Sequence, residues 1–374
     1  STVCRDSMKI IGFSYEASED FGRLLFSPGT TMDSMRIGVL TSGGDAPGLN
    51  AVIRAAVLKG TRVHGHEFVG FVGGYKGLCE ADMMPLTRHE VKGISKEGGT
   101  ILGTSRTNPF DYGGVERVQE VLADNGIDAI IAIGGEGSLA AAKELSDAGI
   151  PIVGVPKTVD NDLNGTDFTF GFDTAISIAT EAMDRLRTTG DSHSRCMVAE
   201  VMGRHVGWIA LHSGMAAGAH VILIPERKTS MEEIIHWVRS AADRGRAPLV
   251  VVAEGFVLDT MNDPHSERGL DAFGRPRLGG IGDVLAPMIE EATGIETRAT
   301  TLGHIQRGGT PSAFDRVLAT RFGMSVVNLV NDEQWGHMVA LRGTEIVRVD
   351  FAEALGDLKT VPADRYDAAA MLFG

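Results

Sequence analysis

Cysteine is scarce: the 374-residue sequence holds only Cys4, Cys79 and Cys196, far apart and without a Cys-x-x-Cys pair. An odd, scattered set excludes a disulfide framework or a zinc module and points to a reducing, cytoplasmic setting. No apolar run reaches the ~18–20 residues that span a bilayer, so a membrane protein is not expected. Basic residues are in the minority, 35 Lys and Arg against 49 Asp and Glu, for a net charge of −14. A nucleic-acid binder normally carries a basic footprint, so none is expected here. No Gly-Lys-Ser/Thr occurs anywhere, which excludes a Walker P-loop.

What is present is an ordinary globular mixture, 43% hydrophobic and 22% charged, long enough for two or three domains. Glycine is the departure. There are 48, about one residue in eight against a usual ~7%. They cluster between apolar stretches, as expected where backbone must approach a ligand closely.

Residues 1–34 lack clean periodicity and a signal-peptide pattern, and read as an N-terminal tail, with disorder as one reading. From Met35 onward β-rich runs alternate with helical patterns. The runs are Arg36–Thr41, Phe68–Val72, Ala129–Ile133, Pro151–Val155, Arg195–Val201, His220–Ile224, Leu249–Ala253 and Thr297–Leu302. Helices are predicted over Leu49–Val63, Ser138–Ala148, Thr174–Arg187, Ile234–Arg244, Val284–Thr293 and Ala313–Val330. Regular strand–helix alternation implies an α/β protein with parallel sheets covered on both faces. Eight strands suit two doubly wound, Rossmann-like domains facing each other. Ligands of such sheets bind at the carboxyl ends of the strands, where the unusual residues of this chain collect.

The first strand ends in Thr41-Ser-Gly-Gly-Asp-Ala-Pro-Gly48, with Gly43 and Gly44 entering a helix. Successive glycine amides at a helix start form a nest for phosphate oxygens; a tight turn alone needs fewer glycines. The third strand ends in Gly134-Gly135-Glu136-Gly137-Ser138. That spacing partly matches a dinucleotide fingerprint, but Pro156-Lys157 stands where an acid would hold the ribose. Glu136 is better placed to hold Mg²⁺ beside phosphates. In Lys157-Thr158-Val159-Asp160-Asn161-Asp162, an extended backbone would turn Asp160 and Asp162 to one side. Such a pair can divide proton acceptance from metal or partner orientation, while an Asx-rich turn is the plain alternative. Arg106, Arg195, Arg204, Arg298 and Arg307 stand near glycines or at strand ends, and guanidinium forks suit phosphate. Together these groups describe phosphoryl transfer between two phosphorylated molecules.

From about Arg36 onward the chain resembles the bacterial 6-phosphofructokinases, specifically the actinobacterial kind. The segments that carry the resemblance are Leu40–Gly48, Gly98-Gly-Thr-Ile-Leu-Gly-Thr-Ser-Arg106, Gly134–Ser138, Pro156–Asp162, Val201-Met-Gly-Arg204 and Leu302-Gly-His-Ile-Gln-Arg-Gly-Gly309. The resemblance implies the phosphofructokinase fold and an ATP-dependent transfer to the 1-hydroxyl of fructose 6-phosphate. It implies a phosphoryl-donor domain of 35–171 plus about 306–350, and a fructose-6-phosphate domain of 172–305 plus about 351–374. Asp160 falls on the proton acceptor, and Asp162 on the carboxylate beside the metal and the transferring group. Thr158 and Arg204 join them as catalytic expectations. Gly43, Gly44, Arg106, Thr107, Gly135, Glu136, Gly137 and Ser138 match the donor site, with Glu136 at the Mg²⁺ position. Thr158, Val159, Asp160, Met202, Gly203, Arg204, Glu254, His304, Ile305, Gln306 and Arg307 match the sugar-phosphate site. Arg195 and Arg298 match positions reaching across from a neighbouring subunit, so a cytoplasmic homo-oligomer, expected to be a homotetramer, is implied.

Three positions depart from the common bacterial pattern. Glu136 replaces the usual aspartate. Lys157 stands where many ATP-using relatives have glycine, and lysine there is common in pyrophosphate-using ones. Gly137 points to ATP, because pyrophosphate enzymes carry Asp there, which would crowd and repel a nucleotide α-phosphate. ATP is therefore the expected donor and pyrophosphate the alternative; a dehydrogenase or a non-catalytic nucleotide sensor are weaker competitors. Leu58, four residues after Arg54, replaces a second arginine of the familiar effector site, so regulation by ADP or phosphoenolpyruvate in the usual way is not expected.

Overall fold

The structure is a computed structural model and describes residues 34–259 and 279–374; the tail read over 1–34 lies, but for its last residue, outside the described residues. In chain order, β1 (Arg36–Ser42) leads to α1 (Leu49–Lys59), which closes in a π-helical turn at Gly60–His64. Then come β2 (Glu67–Phe71), α2 (Tyr75–Glu80), β3 (Met83–Pro85), α3 (Gly114–Asp124), β4 (Ala129–Gly134), α4 (Glu136–Asp147) and β5 (Ile152–Pro156). The long α5 (Phe172–His193) precedes β6 (Cys196–Val201), α6 (Trp208–Ala217), β7 (Val221–Leu223), α7 (Met231–Asp243) and β8 (Leu249–Ala253). After α8 (Ile281–Thr293), β9 (Thr297–Thr301) and α9 (Ala313–Asn331), the chain ends in β10 (His337–Arg342), β11 (Glu345–Asp350), α10 (Phe351–Ala354) and α11 (Ala363–Ala370).

The strands form two sheets. The larger has the order β11-β10-β5-β4-β1-β2-β3 and the smaller β7-β8-β6-β9. All pairings are parallel except those of the outer strands β3 and β11 with their neighbours. The central strands read as near-continuous apolar runs because helices cover both faces. Every residue of β4 is buried, and Ile130, Ile131 and Ile133 stand at 0% exposure, each worth ~1.5–3 kcal/mol of burial. In α5 the spaced Ala175, Ala179 and Met183 are buried while Glu181 and Arg185 pair on the outer face. A capping box, in which the Ser230 hydroxyl accepts from Glu233 N–H and the Glu233 carboxylate accepts from Ser230 N–H, starts α7.

The sequence reading of eight strands in two sheets omits β3, β10 and β11. The last two form an antiparallel hairpin turning at Gly343, which joins the large sheet through Met338 beside Gly154. It also omits α2, α3, α6, α10 and α11. Among these α6 is apolar nearly all round, so it has no stripe to read.

Chain reversal in the large sheet occurs between β1 and β4, so the loops after Ser42 and Gly134 flank the switch-point crevice. In the small sheet β6, β8 and β9 run side by side and in parallel, so Met202, Glu254 and Leu302 leave one common edge. Among the described residues no helix is long and apolar enough to cross a membrane.

Candidate active site

The loop after β1 is laced to the loop before Arg106. Gly43 N–H donates to Ser105 O at 2.9 Å, Thr104 Oγ1 to Gly43 O at 2.7 Å, and Ser42 Oγ to Ser105 O at 3.3 Å. Ser105 Oγ lies 3.0 Å from Thr107 Oγ1, so Arg106 and Thr107 follow directly from this bracing. Gly43 adopts a φ of +83°, open to glycine and costly for other residues. On the β4 side, Gly135 precedes α4, whose first turn carries Glu136, exposed, and Ser138. Tyr75 OH donates to Ser138 O at 2.7 Å from beneath this turn, a support that sequence reasoning missed; its only signal is an aromatic just after Gly73-Gly74.

Lys157 is buried at 3% exposure between the two glycine loops. Its Nζ lies 3.7 Å from where a Cβ on Gly43 would stand and 3.9 Å from one on Gly135. Burial first, then Arg307, push its ammonium down to about 8, while Asp162, Asp45 and Asp160 pull it back up. A cation buried there is placed to meet phosphate oxygens.

Asp160 and Asp162 each keep one buried oxygen, Oδ1, without a hydrogen-bond partner among the described residues. Burial and then the Asp162 charge push Asp160 up to about 6, against the pull of Arg307, Lys157 and Arg204. The expectation that an extended backbone aligns the two carboxylates is corrected here. Asn161 between them has a φ of +53°, so the chain turns, and they converge through a left-handed residue rather than through strand alternation. Thr158 Oγ1 accepts from Asp160 N–H at 3.1 Å, while Val159 is wholly buried in the core, leaving only its backbone near the site.

The small sheet brings Met202, Gly203, Arg204 and Glu254 to the same edge. Glu254 N–H donates to Val201 O at 2.8 Å and Gly255 N–H to Gly203 O at 3.0 Å. Burial, then Asp160 and Glu200, push Glu254 up to about 7, opposed by Arg204 and Arg307. From β9, the 3₁₀ turn Gly303–Arg307 exposes His304 and Ile305 and buries Gln306. Gln306 is occupied at both ends, accepting from Met202 N–H at 3.3 Å and donating to Gly303 O at 3.0 Å, so its amide holds the turn. Arg307 crosses to the other sheet, donating from Nη1 to Asp45 O at 3.1 Å.

Arg195 and Arg298 do not join this assembly. Arg195 immediately precedes β6, and Arg298 pairs in register with Met197 near its start. At ~3.3 Å per residue along the strands, Arg298 stands roughly 17 Å and Arg195 roughly 23 Å from the edge carrying Met202. Glu296 lies between them, 2.7 Å from Arg195 Nε and paired also with Arg298, which reaches Glu290 at 3.4 Å.

No three His, Cys, Asp or Glu side chains converge as a metal site among the described residues. Magnesium, however, commonly rests on one or two carboxylates plus substrate phosphates and water. Glu136, an exposed carboxylate in the first turn of α4 directly after Gly135, fits an ion carried in with a polyphosphate.

Residues 36–330 match the phosphofructokinase family. Over 341 residues the chain is 59% identical to the pyrophosphate–fructose 6-phosphate 1-phosphotransferase of Amycolatopsis methanolica, covering 91% of this chain and all of that one. It is 54% identical over 337 residues to ATP-dependent 6-phosphofructokinase 3 of Streptomyces coelicolor, covering 90% of this chain and 99% of that one. Among solved structures, Pichia pastoris phosphofructokinase in the T-state superposes with a TM-score of 0.75 at 34% identity over 91% of this chain; the match spans 36% of the longer yeast chain.

Proposed function

The chain belongs to the phosphofructokinase family, and from that premise we propose that it transfers the terminal phosphoryl group of a polyphosphate donor to the 1-hydroxyl of fructose 6-phosphate. The observation that carries this reading is the buried Asp160–Asp162 pair, with an unpartnered oxygen on each, set among Lys157, Arg204 and Arg307. Asp160 takes the hydroxyl proton as the sugar oxygen bonds to phosphorus and the bond to the departing phosphate breaks. Arg204, Arg307, Glu254 and His304 bind the sugar phosphate, while Gly44, Arg106, Thr107 and Gly135–Ser138 hold the donor, and Gly43, whose N–H is already given to Ser105 O, shapes the loop instead of offering its amide. A bound magnesium ion would neutralise phosphate charge, with Glu136 as its protein ligand. The large sheet thus forms the donor half and the small sheet the acceptor half. Arg195 and Arg298, remote from their own chain's site, would serve a neighbouring subunit's site in a cytoplasmic oligomer.

Two donors compete, and each has a specific support. By overall similarity pyrophosphate comes first, and the buried Lys157 ammonium between the glycine loops suits a compact polyanion. ATP is supported locally: a Cβ on Gly137 would meet nothing within 4 Å, leaving the room that a nucleotide α-phosphate needs. Donor choice rests on the few atoms beside that phosphate rather than on whole-chain identity, so ATP is the reading taken and pyrophosphate the second. The test is fructose 1,6-bisphosphate formation with Mg²⁺ and either ATP or pyrophosphate as the sole donor. Product with pyrophosphate alone overturns the ATP reading and keeps the acceptor chemistry; product with neither overturns both.

A further inference from the structure

We propose that Asn161 and its partner Thr169 are positioning residues that lock the Thr158–Asp162 loop in the one backbone path that points Asp160 into the site. The inference rests on the reading of Asp160 as proton acceptor and goes beyond it. No function is otherwise attached to either residue, and both are buried, Asn161 at 2% and Thr169 at 0% exposure.

The geometry is a closed set of ties. Asn161 Oδ1 accepts from Thr169 N–H at 3.0 Å, with Thr169 Oγ1 3.4 Å away, while its Nδ2 donates to Asp167 O at 3.5 Å. Thr169 Oγ1 donates to Thr158 O at 2.7 Å, and Thr158 Oγ1 in turn accepts from Asp160 N–H. Lys157 and Phe170, which flank the tied residues, form a parallel bridge. The loop is therefore fastened at both ends to the segment entering α5, with Asn161 at its bend. The bend needs a left-handed residue, and Asn is among the few side-chain-bearing residues that enter that region readily. Asp160 N–H is taken by Thr158 Oγ1 inside the loop, and the buried Asp160 Oδ1 accepts no hydrogen bond among the described residues.

Positioning has a signature that packing alone lacks. A base displaced by about an ångström costs on the order of 10²-fold in turnover while the ground-state sugar phosphate still binds. Asn161→Gly keeps the left-handed backbone and removes the amide. It is expected to lower kcat about 10–100-fold with KM for fructose 6-phosphate changed less than about threefold. Thr169→Val, which keeps shape and removes the hydroxyl, is expected to lower kcat about tenfold, and Thr169→Ser to restore it to within about threefold of the parent. The threonine pair keeps the test open if Asn161→Gly does not fold. Asp160→Asn is measured alongside. Parental kcat in Asn161→Gly and Thr169→Val, with Asp160→Asn inactive, overturns the positioning role and leaves the base assignment standing. A kcat loss with a matching rise in KM and no rescue by Thr169→Ser reduces the pair to general structural support and also overturns it. Near-parental turnover in Asp160→Asn removes the base reading itself, and this inference with it.

Discussion

Arg307 Nη1 donates to the carbonyl of Asp45 at 3.1 Å, tying the 3₁₀ turn after β9 to the glycine loop after β1. The contact runs past Gly44, where a Cβ would stand 2.8 Å from that nitrogen. Gly44→Ala is therefore expected to push the guanidinium aside rather than disturb the fold, since the clash is with the end of a long side chain. Melting temperature should stay within about 2 °C while kcat/KM for fructose 6-phosphate falls at least about tenfold, the scale of one charge-assisted hydrogen bond. Unchanged kinetics in this variant would separate Arg307 from the reaction.

Burial and the neighbouring Asp162 raise Asp160 to about 6, so a proton acceptor there loses its ionised form in mildly acid solution. Turnover should fall about tenfold per pH unit below that value and level off above it, until other groups intervene. Asp162→Asn removes a like charge and should move the acidic limb of its residual activity to lower pH, because the ionised form of Asp160 is then easier to reach. A limb that stays in place would detach Asp160 from the profile. Asp160→Asn should lower kcat about 10²–10⁴-fold while fructose 6-phosphate binding, followed by calorimetry, remains.

The crevice was legible because its signals are local. Glycine clusters follow apolar runs at Ser42 and Gly134, and the strands there need no distant information. The β10–β11 hairpin was not, since β11 buries only Val349 fully and is defined by pairing with β10. Nor could spacing reveal that Asn161 turns the chain, because the amide that holds it there meets a backbone group eight residues on. Long-range contacts such as Arg307 to Asp45, 262 residues apart, follow only from the packing of the two sheets. The resemblance names these residues, but the tie between the two loops is visible only in the fold.

Gly137 is the exposed second residue of α4, and a side chain there meets nothing within 4 Å. Gly137→Asp should therefore fold normally. If the glycine loop after β4 holds the donor as proposed, the added carboxylate should raise KM for ATP by at least about tenfold through repulsion of the α-phosphate. Pyrophosphate, which has no α-phosphate, should be affected little. An equal loss with both donors would mean that the position does not distinguish them.

Asp315 offers a test of stability away from the chemistry. It is fully buried, and its Oδ2 accepts from Thr174 N–H at 2.8 Å and Thr174 Oγ1 at 2.5 Å, tying the start of α9 to the start of α5. Burial outweighs these donors and pushes the carboxyl up to about 6 from an ordinary value near 3.8. A raised folded-state value means that the protonated acid is the form the fold prefers. Its contribution is fully present below the ordinary carboxylate value and is lost as pH rises through about 6. A shift of about two units corresponds to roughly 3 kcal/mol. Asp315→Asn keeps an acceptor for Thr174 and cannot ionise, so its stability should lack that decline. Urea unfolding should give the two proteins similar stability near pH 4, with the variant ahead by up to roughly 3 kcal/mol above pH 7. A variant less stable than the parent at pH 7.5 would mean that the ionised carboxylate is held by its donors more strongly than burial opposes it.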